Sequence, residues 1–500
     1  MTMITANLPV LVVIAPLFVA CILPTLASRK TTVENLVVLV ELLGLAGALG
    51  LAWIFLMQQT PILYHLGGWP PPWGIRLVVD HLTIFFLLVT AIVALPVALF
   101  ARDNLAHEVG SKGRIARFYV LYLLLHGALA GMAVTNDLFN VYVLVEVATL
   151  SCCGLVSSRN HPRAANAAFT YLIMATLGSA LVLGGIALVY INTGHLNMAY
   201  AAEELALVWE SSPRVIWVAA SLFLTGFAVK AALFPLHVWL PEAHATAPTP
   251  ASAVLSGLAV KGYLLCLLKI LYTVFGPTLV RGFAIHKILT LVSVLAILVG
   301  SILALKEDEL KRRLAFSTVA QMGYILAGLG FANVKGLAGS LFYLASHGVI
   351  KSALFLAAGT IIKATGKERI SELAGIGQKM PLTMAVFSTA SLGLVGLPLF
   401  SGFVGKWHLL LGSWEGNHPV ASAVIVAGSV LCAAYLFPIL RNAYFEPAPE
   451  EISTKQWRDP KGAQRLALVL LATAIVILGI FPRPLLDLAY QAAAELLRIR

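Results

Sequence analysis

Charge is what this sequence has least of. Only 11% of its 500 residues are Asp, Glu, Lys or Arg, against 59% hydrophobic, and no polar stretch between the apolar runs is long enough to make a soluble domain. Cysteine is sparse as well. Cys21, Cys152, Cys153, Cys266 and Cys432 all fall inside apolar runs, with no C-x-x-C spacing and no pair in a loop, so neither a metal nor a redox cofactor is expected. There is no G-x-x-x-x-G-K-[ST] loop, which argues against ATP-driven transport. The net charge of +11 is scattered through short loops rather than gathered in a block, which argues against nucleic acid.

What the sequence has in quantity is apolar runs of about 20 residues, each long enough to cross the hydrocarbon of a bilayer. The chain therefore reads as an all-α polytopic membrane protein. Fourteen spanning segments are expected, at about 7–28, 34–57, 78–101, 116–134, 136–157, 165–192, 215–240, 251–275, 286–305, 314–331, 338–362, 381–411, 419–440 and 466–482. The first run, Leu8 to Leu26, lacks a basic leader and is followed at once by a second spanning run, so it reads as a retained helix.

The bases set the orientation. With the N-terminus outside, Arg29, Lys30 and the inward loops 102–117, 159–163, 306–313, 363–379 and 441–465 hold 21 of the 34 Lys and Arg; the outer side holds eight and the apolar segments five. The positive-inside rule then places both termini outside. Glu203, Glu204 and Glu210 fall in an outward loop, as that orientation expects. The mixed charges of 441–465 read as a solvated connector. KEDELKRR at 306–313 reads as a solvated turn, with Lys311 placed to enter the cavity side of the tenth segment.

Two segments are interrupted. Pro235 and Pro241 break the seventh, and the glycines and proline of Gly393–Gly405 break the twelfth. Within a bilayer such breaks are tolerated only where protein or water satisfies the freed backbone, so each marks a cavity. The two lie five segments apart, and an odd spacing reverses direction. Segments 4–8 and 9–13 therefore read as two inverted five-helix repeats. The expected divisions are 1–110, 111–280, 281–441 and 442–500.

The charges at membrane depth are the candidate chemistry, since one near the bilayer centre costs about 2.5–3.5 kcal/mol on insertion scales and so faces protein or a wet cavity. Glu146 sits in mid-segment with no neutralising neighbour within a turn, and Lys230 precedes the first break. A carboxylate beside an ammonium keeps the lysine protonated; separating them in a low dielectric releases the proton. His237, two turns beyond Lys230, suits a relay if Pro235 spares the shared face. Lys261 lies about ten residues into the eighth segment, and Lys269 lies near its far end, within reach of the interface by snorkelling. His347 and Lys351 are spaced i,i+4 and project from one face. Lys406 stands beside the second break. Glu242 with His244 lacks both a zinc-helix spacing and a third ligand.

The stretches FAVKAALFPLHVWLPEAHATAPTPASAVLSG, SHGVIKSALFLAAG and GLPLFSGFVGKW, with Glu146 ahead of them, closely resemble the antiporter-like family shared by Mrp-type cation/proton antiporters and the proton-pumping subunits of respiratory complex I and membrane-bound hydrogenases. The likeness covers about residues 75–440. YHLGGWPPPWGIRLVVD and Lys406 look most like the D-type branch of the Mrp antiporters, where complex I subunits of the middle type carry a glutamate at the position of Lys406. Only 18 residues follow Pro482, too few for the lateral helix of the complex I end subunit.

The resemblance implies fourteen helices with two inverted repeats and a midplane chain of polar residues. Carried onto this chain, it makes Glu146 and Lys230 the ion pair, Lys261 the bridging lysine, His347 and Lys351 the relay, and Lys406 the terminal proton site. Two functions follow: a proton-translocating subunit of a multi-subunit Mrp-type Na+/proton antiporter, or the equivalent subunit of a redox-driven complex. A scaffold without transport would leave five buried lysines unexplained. The expected setting is a prokaryotic cell (inner) membrane, with other membrane subunits, H+, Na+ and lipid as partners.

Overall fold

The computed structural model describes residues 3–159, 161–447 and 457–499. Glu450, Glu451 and Lys455 of the expected inward connector lie outside them. Helices α1 (Met3–Ile22), α2 (Lys30–Gln58), α3 (His81–Glu108), α4 (Lys112–Val134), α5 (Leu138–Ser157) and α6 (Pro162–Thr193) come first. After the shorter α7 (Met198–Val208) come α8 (Pro213–Lys230), α9 (Leu240–Thr246) and α10 (Thr249–Gly282). The second half holds α11 (Ile285–Lys306), α12 (Leu310–Phe331), α13 (Val334–Thr365), α14 (Pro381–Val395), α15 (Ser401–Glu415), α16 (Pro419–Phe445), α17 (Gly462–Ile480) and α18 (Arg483–Leu496).

Thirteen of these, among the described residues, are long and apolar enough to cross a membrane, and α14 with α15 makes a fourteenth, interrupted crossing. Helices dominate because a lipid-facing backbone has no water to bond and must satisfy every N–H and C=O within the segment. Their ends are closed by side chains: Asp80 accepts from Thr83 N at 2.8 Å, Asp137 from Asn140 N at 2.7 Å and Asn333 from Gly336 N at 2.7 Å. Asp459, from the connector 441–465, reaches back to Leu382 N and Thr383 N at 2.8 and 2.9 Å and so starts α14.

The core lies along α10 and α13, buried over their whole spanning length, with α12 nearly so. The two cross where neither has a side chain. A Cβ on Gly348 would stand 2.8 Å from Gly257 O, and one on Gly257 would stand 3.1 Å from Gly348 O, so glycine at both positions sets the separation of the two central helices.

Both breaks fall where the proline and glycine pattern puts them. The first runs from Ala231 to Trp239, between α8 and α9, with Ala232 at φ 50. The second runs from Gly396 to Phe400, with Gly396 at φ 91 and Leu399 at φ 76. One end of the helix bundle adds elements that hydropathy does not announce: an antiparallel hairpin of β1 (Ile62–His65) and β2 (Arg76–Val79), helix α7, and the amphipathic α18. Glu495 on α18 holds His81 Nδ1 at 2.7 Å.

Candidate functional site

Lys230 ends α8, where the break begins, and its side chain is fully buried. Its Nζ lies 3.1 Å from Glu146 Oε1 and donates to Thr149 Oγ1 at 2.8 Å, both on α5. Ser179, on α6, donates a short hydrogen bond to the same carboxylate oxygen. Thr149 Oγ1 is 3.3 Å from the Tyr263 hydroxyl on α10, and that ring lies 5.8 Å from Lys230 Nζ. The expected pair therefore forms, and hydroxyl groups tie it to the central helix.

Lys261 is fully buried on the same central helix. Residues Leu255–Ala259 take the wider π turn, and Lys261 Nζ donates to the Ser256 carbonyl inside it. Ser256 Oγ is 2.9 Å from Thr318 Oγ1 on α12. The neighbouring Ser317 accepts from Lys351 Nζ at 2.5 Å, as does Leu314 O at 2.5 Å. Thr318 Oγ1 and Lys351 Nζ both donate to Leu314 O, so Ser256, Thr318 and that carbonyl lie between Lys261 on α10 and Lys351 on α13.

His347 lies one turn before Lys351, fully buried, with no hydrogen-bond partner on either ring nitrogen among the described residues. It lies within electrostatic reach of Lys261, Lys351 and Lys406 and stacks on Tyr343 with centroids 6.1 Å apart. A buried imidazole with both nitrogens unengaged, set among three amines, is arranged to pass protons rather than to hold a fixed bond. Lys406 follows. Its Nζ sits 4.5 Å over the Tyr324 ring and 5.8 Å from that of Tyr343. It donates to Leu394 O and Val395 O at 2.8 and 3.0 Å, the free carbonyls at the end of α14, and to Ser429 Oγ at 3.1 Å.

His237 stands apart. The helix stops at Lys230, so the shared face that two unbroken turns would give does not exist. His237 stacks on Phe234 at 5.6 Å with its Nδ1 unpartnered, and no contact with Lys230 is present among the described residues. The buried His244 resembles His347: both ring nitrogens lack partners, and Lys261, Lys351 and Lys311 lie within electrostatic reach. Glu242 is taken by Arg163 at 3.1 Å and Arg312 at 4.0 Å. The two arginines line a charged recess of about 700 Å³ at the ends of the basic loops, where Glu309 also pairs with Arg163 at 3.6 Å. Burial pushes the Glu309 carboxyl up, a shift that Arg163 opposes.

The NADH:quinone oxidoreductase/Mrp antiporter family matches residues 135–432, which span both breaks and every residue of the line just described. The chain belongs to this family. It is 37% identical to NADH-quinone oxidoreductase subunit N of Desulforudis audaxviator, over 98% of this chain and 99% of that one. It is 28% identical to the D component of the Na(+)/H(+) antiporter of Alkalihalophilus pseudofirmus, over 88% and 87%. Among solved structures, a chain of the Mrp complex from Dietzia sp. DQ12-45-1b superposes with a TM-score of 0.88 at 28% identity, covering 99% of this chain and 98% of that one. A chain of the membrane-bound sulfane sulfur reductase, an archaeal respiratory membrane complex, gives 0.88 at 30%, covering 98% and 97%. These neighbours are parts of multi-subunit membrane assemblies.

Some buried charges of this family member were not legible as sites. Glu41 on α2 and His126 Nδ1 on α4 meet at 2.7 Å, with the glutamate side chain fully buried. An acid in an apolar run signals itself as Glu146 does, but its partner on a distant helix gives no sequence cue. Lys269 does not snorkel: its Nζ donates to Ala133 O at 2.8 Å and Thr135 O at 2.7 Å, closing the end of α4. Lys311 turns inward, as its place beside the tenth segment suggests, and donates to Ala247 O at 3.1 Å.

Proposed function

We propose that this chain is a proton-translocating subunit of a multi-subunit Mrp-type monovalent cation/proton antiporter, moving protons along Glu146, Lys230, Lys261, His347, Lys351 and Lys406. The observation that carries the proposal is the line of buried amines with hydroxyls, carbonyls and rings lying between them across α5, α8, α10, α12, α13 and α15. The pair of Glu146 and Lys230 is the switch. While they touch, the carboxylate holds the lysine protonated; when they part, the uncompensated ammonium sheds its proton toward Tyr263 and Lys261. His347, with two free nitrogens, takes a proton on one and gives it from the other. The interruptions after Lys230 and before Lys406 let those ends move, because their backbone is not locked in a helical ladder. The repeats are residues 111–280 and 281–441, the setting is a prokaryotic cell membrane with both termini outside, and the counter-ion is Na+. His237 acts from the first break as an accessory relay.

A second reading has its own support. The likeness at 37% over nearly all of both chains is to a subunit of an NADH-quinone oxidoreductase, and in that reading the same line serves a redox-driven pump with electron-transfer partners. Purifying the native assembly separates the two: iron–sulfur or hydrogenase-type subunits favour the redox pump, small membrane subunits alone the antiporter. Translocation itself is tested in vesicles holding that assembly. Lys230→Ala is expected to abolish the pH change driven by Na+ or by electron transfer while the complex still assembles; a normal pH change would overturn the assignment.

A further inference from the structure

Where α4 begins and α5 ends, the protein surface has two adjoining recesses that the proton line does not use. One, of about 300 Å³, has Arg114, Arg117 and Arg159 at its rim and Phe118 and Leu121 on its floor. The other, of about 360 Å³, shares Arg114 and Arg159 and adds His161 and Lys363. Arg114 folds back over Gly110, whose φ of 92 and missing side chain leave room: a Cβ there would stand 3.2 Å from the guanidinium. The two recesses are therefore joined under one arginine.

Among the described residues the charge in them is only partly balanced. Arg114 and Arg117 have no hydrogen-bond or carboxylate partner among the described residues, and Arg159 has only Glu368, at 3.7 Å and half exposed. Among the described residues lining the recesses the carboxylate is Glu108, whose oxygens accept from Thr249 N at 2.8 Å, Thr249 Oγ1 at 2.7 Å and Asn104 Nδ2 at 2.6 Å and are turned away from a direct pair with the arginines. Lys363 donates to a neutral acceptor, Asp103 O, at 3.0 Å. Guanidinium groups are planar forks suited to phosphate oxygens, and these converge at the rim of spanning helices, where the bilayer's headgroups lie.

The floor is apolar and continues along the membrane. Gly154 of α5 packs directly under Leu121 of α4, since a Cβ on Gly154 would stand 2.7 Å from Leu121 Cδ1. Leu121 and Gly154 are both part-exposed, and Leu150, one turn from Gly154 along α5, is exposed, so an apolar strip leads away from the basic rim along the helix. Cations above an apolar groove match the two chemistries of one molecule. We propose that this double recess binds an anionic phospholipid, with its phosphate among Arg114, Arg117 and Arg159 and an acyl chain along Leu121, Gly154 and Leu150. A free inorganic anion would satisfy the arginines but leave the groove unused.

The test uses the full chain in its native assembly, comparing wild type with Arg114→Gln/Arg117→Gln. Neither change removes a hydrogen bond or ion pair among the described residues, only the packing of Arg114 over Gly110; extracted and counted by mass spectrometry, phosphatidylglycerol or cardiolipin should stay with wild type through detergent washing and be retained about tenfold less by the double variant. Moving the assembly from phosphatidylcholine vesicles into vesicles containing one-fifth phosphatidylglycerol should raise its melting temperature, and the variant should lose that rise. Equal lipid retention by both proteins would overturn the proposal, as would a partner subunit that covers the recess and leaves no lipid. An equal rise on adding inorganic phosphate to phosphatidylcholine vesicles would show an anion site and overturn the assignment to lipid.

Discussion

Lys230 and Glu146 meet at 3.1 Å between α8 and α5, and of the two only the lysine is sealed from solvent: its side chain is 0% exposed and that of the glutamate 29%. The two halves of the pair are therefore not equivalent. A glutamate left alone can turn toward water, whereas a lysine left alone must either hold an uncompensated charge in the interior or give up its proton, and both cost stability.

The pair should show this asymmetry in a double-mutant cycle. Glu146→Gln is expected to destabilise the subunit more than Lys230→Met does, toward the about 3–5 kcal/mol typical of an orphaned buried charge. Combining the two should restore much of the thermal stability without restoring transport. Additive losses in the melting temperatures would mean that the residues do not share a contact, and the switch would fall with it.

Two lysines of α10 should fail in opposite ways. Lys269 Nζ closes carbonyls at the end of α4, so Lys269→Met leaves buried acceptors bare and should cost about 1–3 kcal/mol, with transport per folded molecule kept. Lys261 bonds only its own helix, so Lys261→Met should leave the melting temperature nearly unchanged and stop proton transfer. Paired measurements of melting and vesicle acidification check both; a transport defect in Lys269→Met would place it on the proton line.

The sequence shows the fold in outline because a bilayer allows few solutions. An apolar run of spanning length must be a helix, and a proline among buried charges must be a break, so the fourteen crossings and both interruptions are legible. The remainder depends on partners far apart in the chain. The hairpin β1–β2 pairs Ile62 with Val79 across a Pro- and Gly-rich turn that hydropathy reads only as polar. Glu146 and Lys230 are each visible as costly charges, yet Glu41, equally visible, finds His126 85 positions away. Conversely, the i,i+7 relation of Lys230 and His237 is a helical argument, and it fails where Ala232 turns to positive φ and ends the helix.

The orientation follows from loop charges and can be read directly. A reporter fused after Arg458 should be cytoplasmic and one fused after Arg500 external, an opposition that the crossing of α17 requires. Labelling with the two sides exchanged would invert the direction assigned to the whole line.

The second break supplies the last prediction. Gly396 is at φ 91, where an L side chain costs about 1–2 kcal/mol, and a Cβ there would stand 2.9 Å from Lys406 Cδ. Gly396→Ala therefore acts twice, straining the turn and pushing the lysine stem off the carbonyls of Leu394 and Val395. The stem is flexible and the turn exposed, so the melting temperature should fall by only a few degrees, in line with about 1–2 kcal/mol in a large chain. Transport should fall far more, because Lys406 Nζ loses its place over the rings of Tyr324 and Tyr343, through which it reaches His347. Gly393→Ala makes the comparison: it lies just before the same break and its Cβ would meet the side-chain ends of Ile475 and Ile350 at 3.1 and 3.2 Å, with Lys406 not among its nearest neighbours. Equal transport losses in the two variants, at equal stability, would show that the break matters only as a hinge and that Lys406 is not the proton-bearing group beside it.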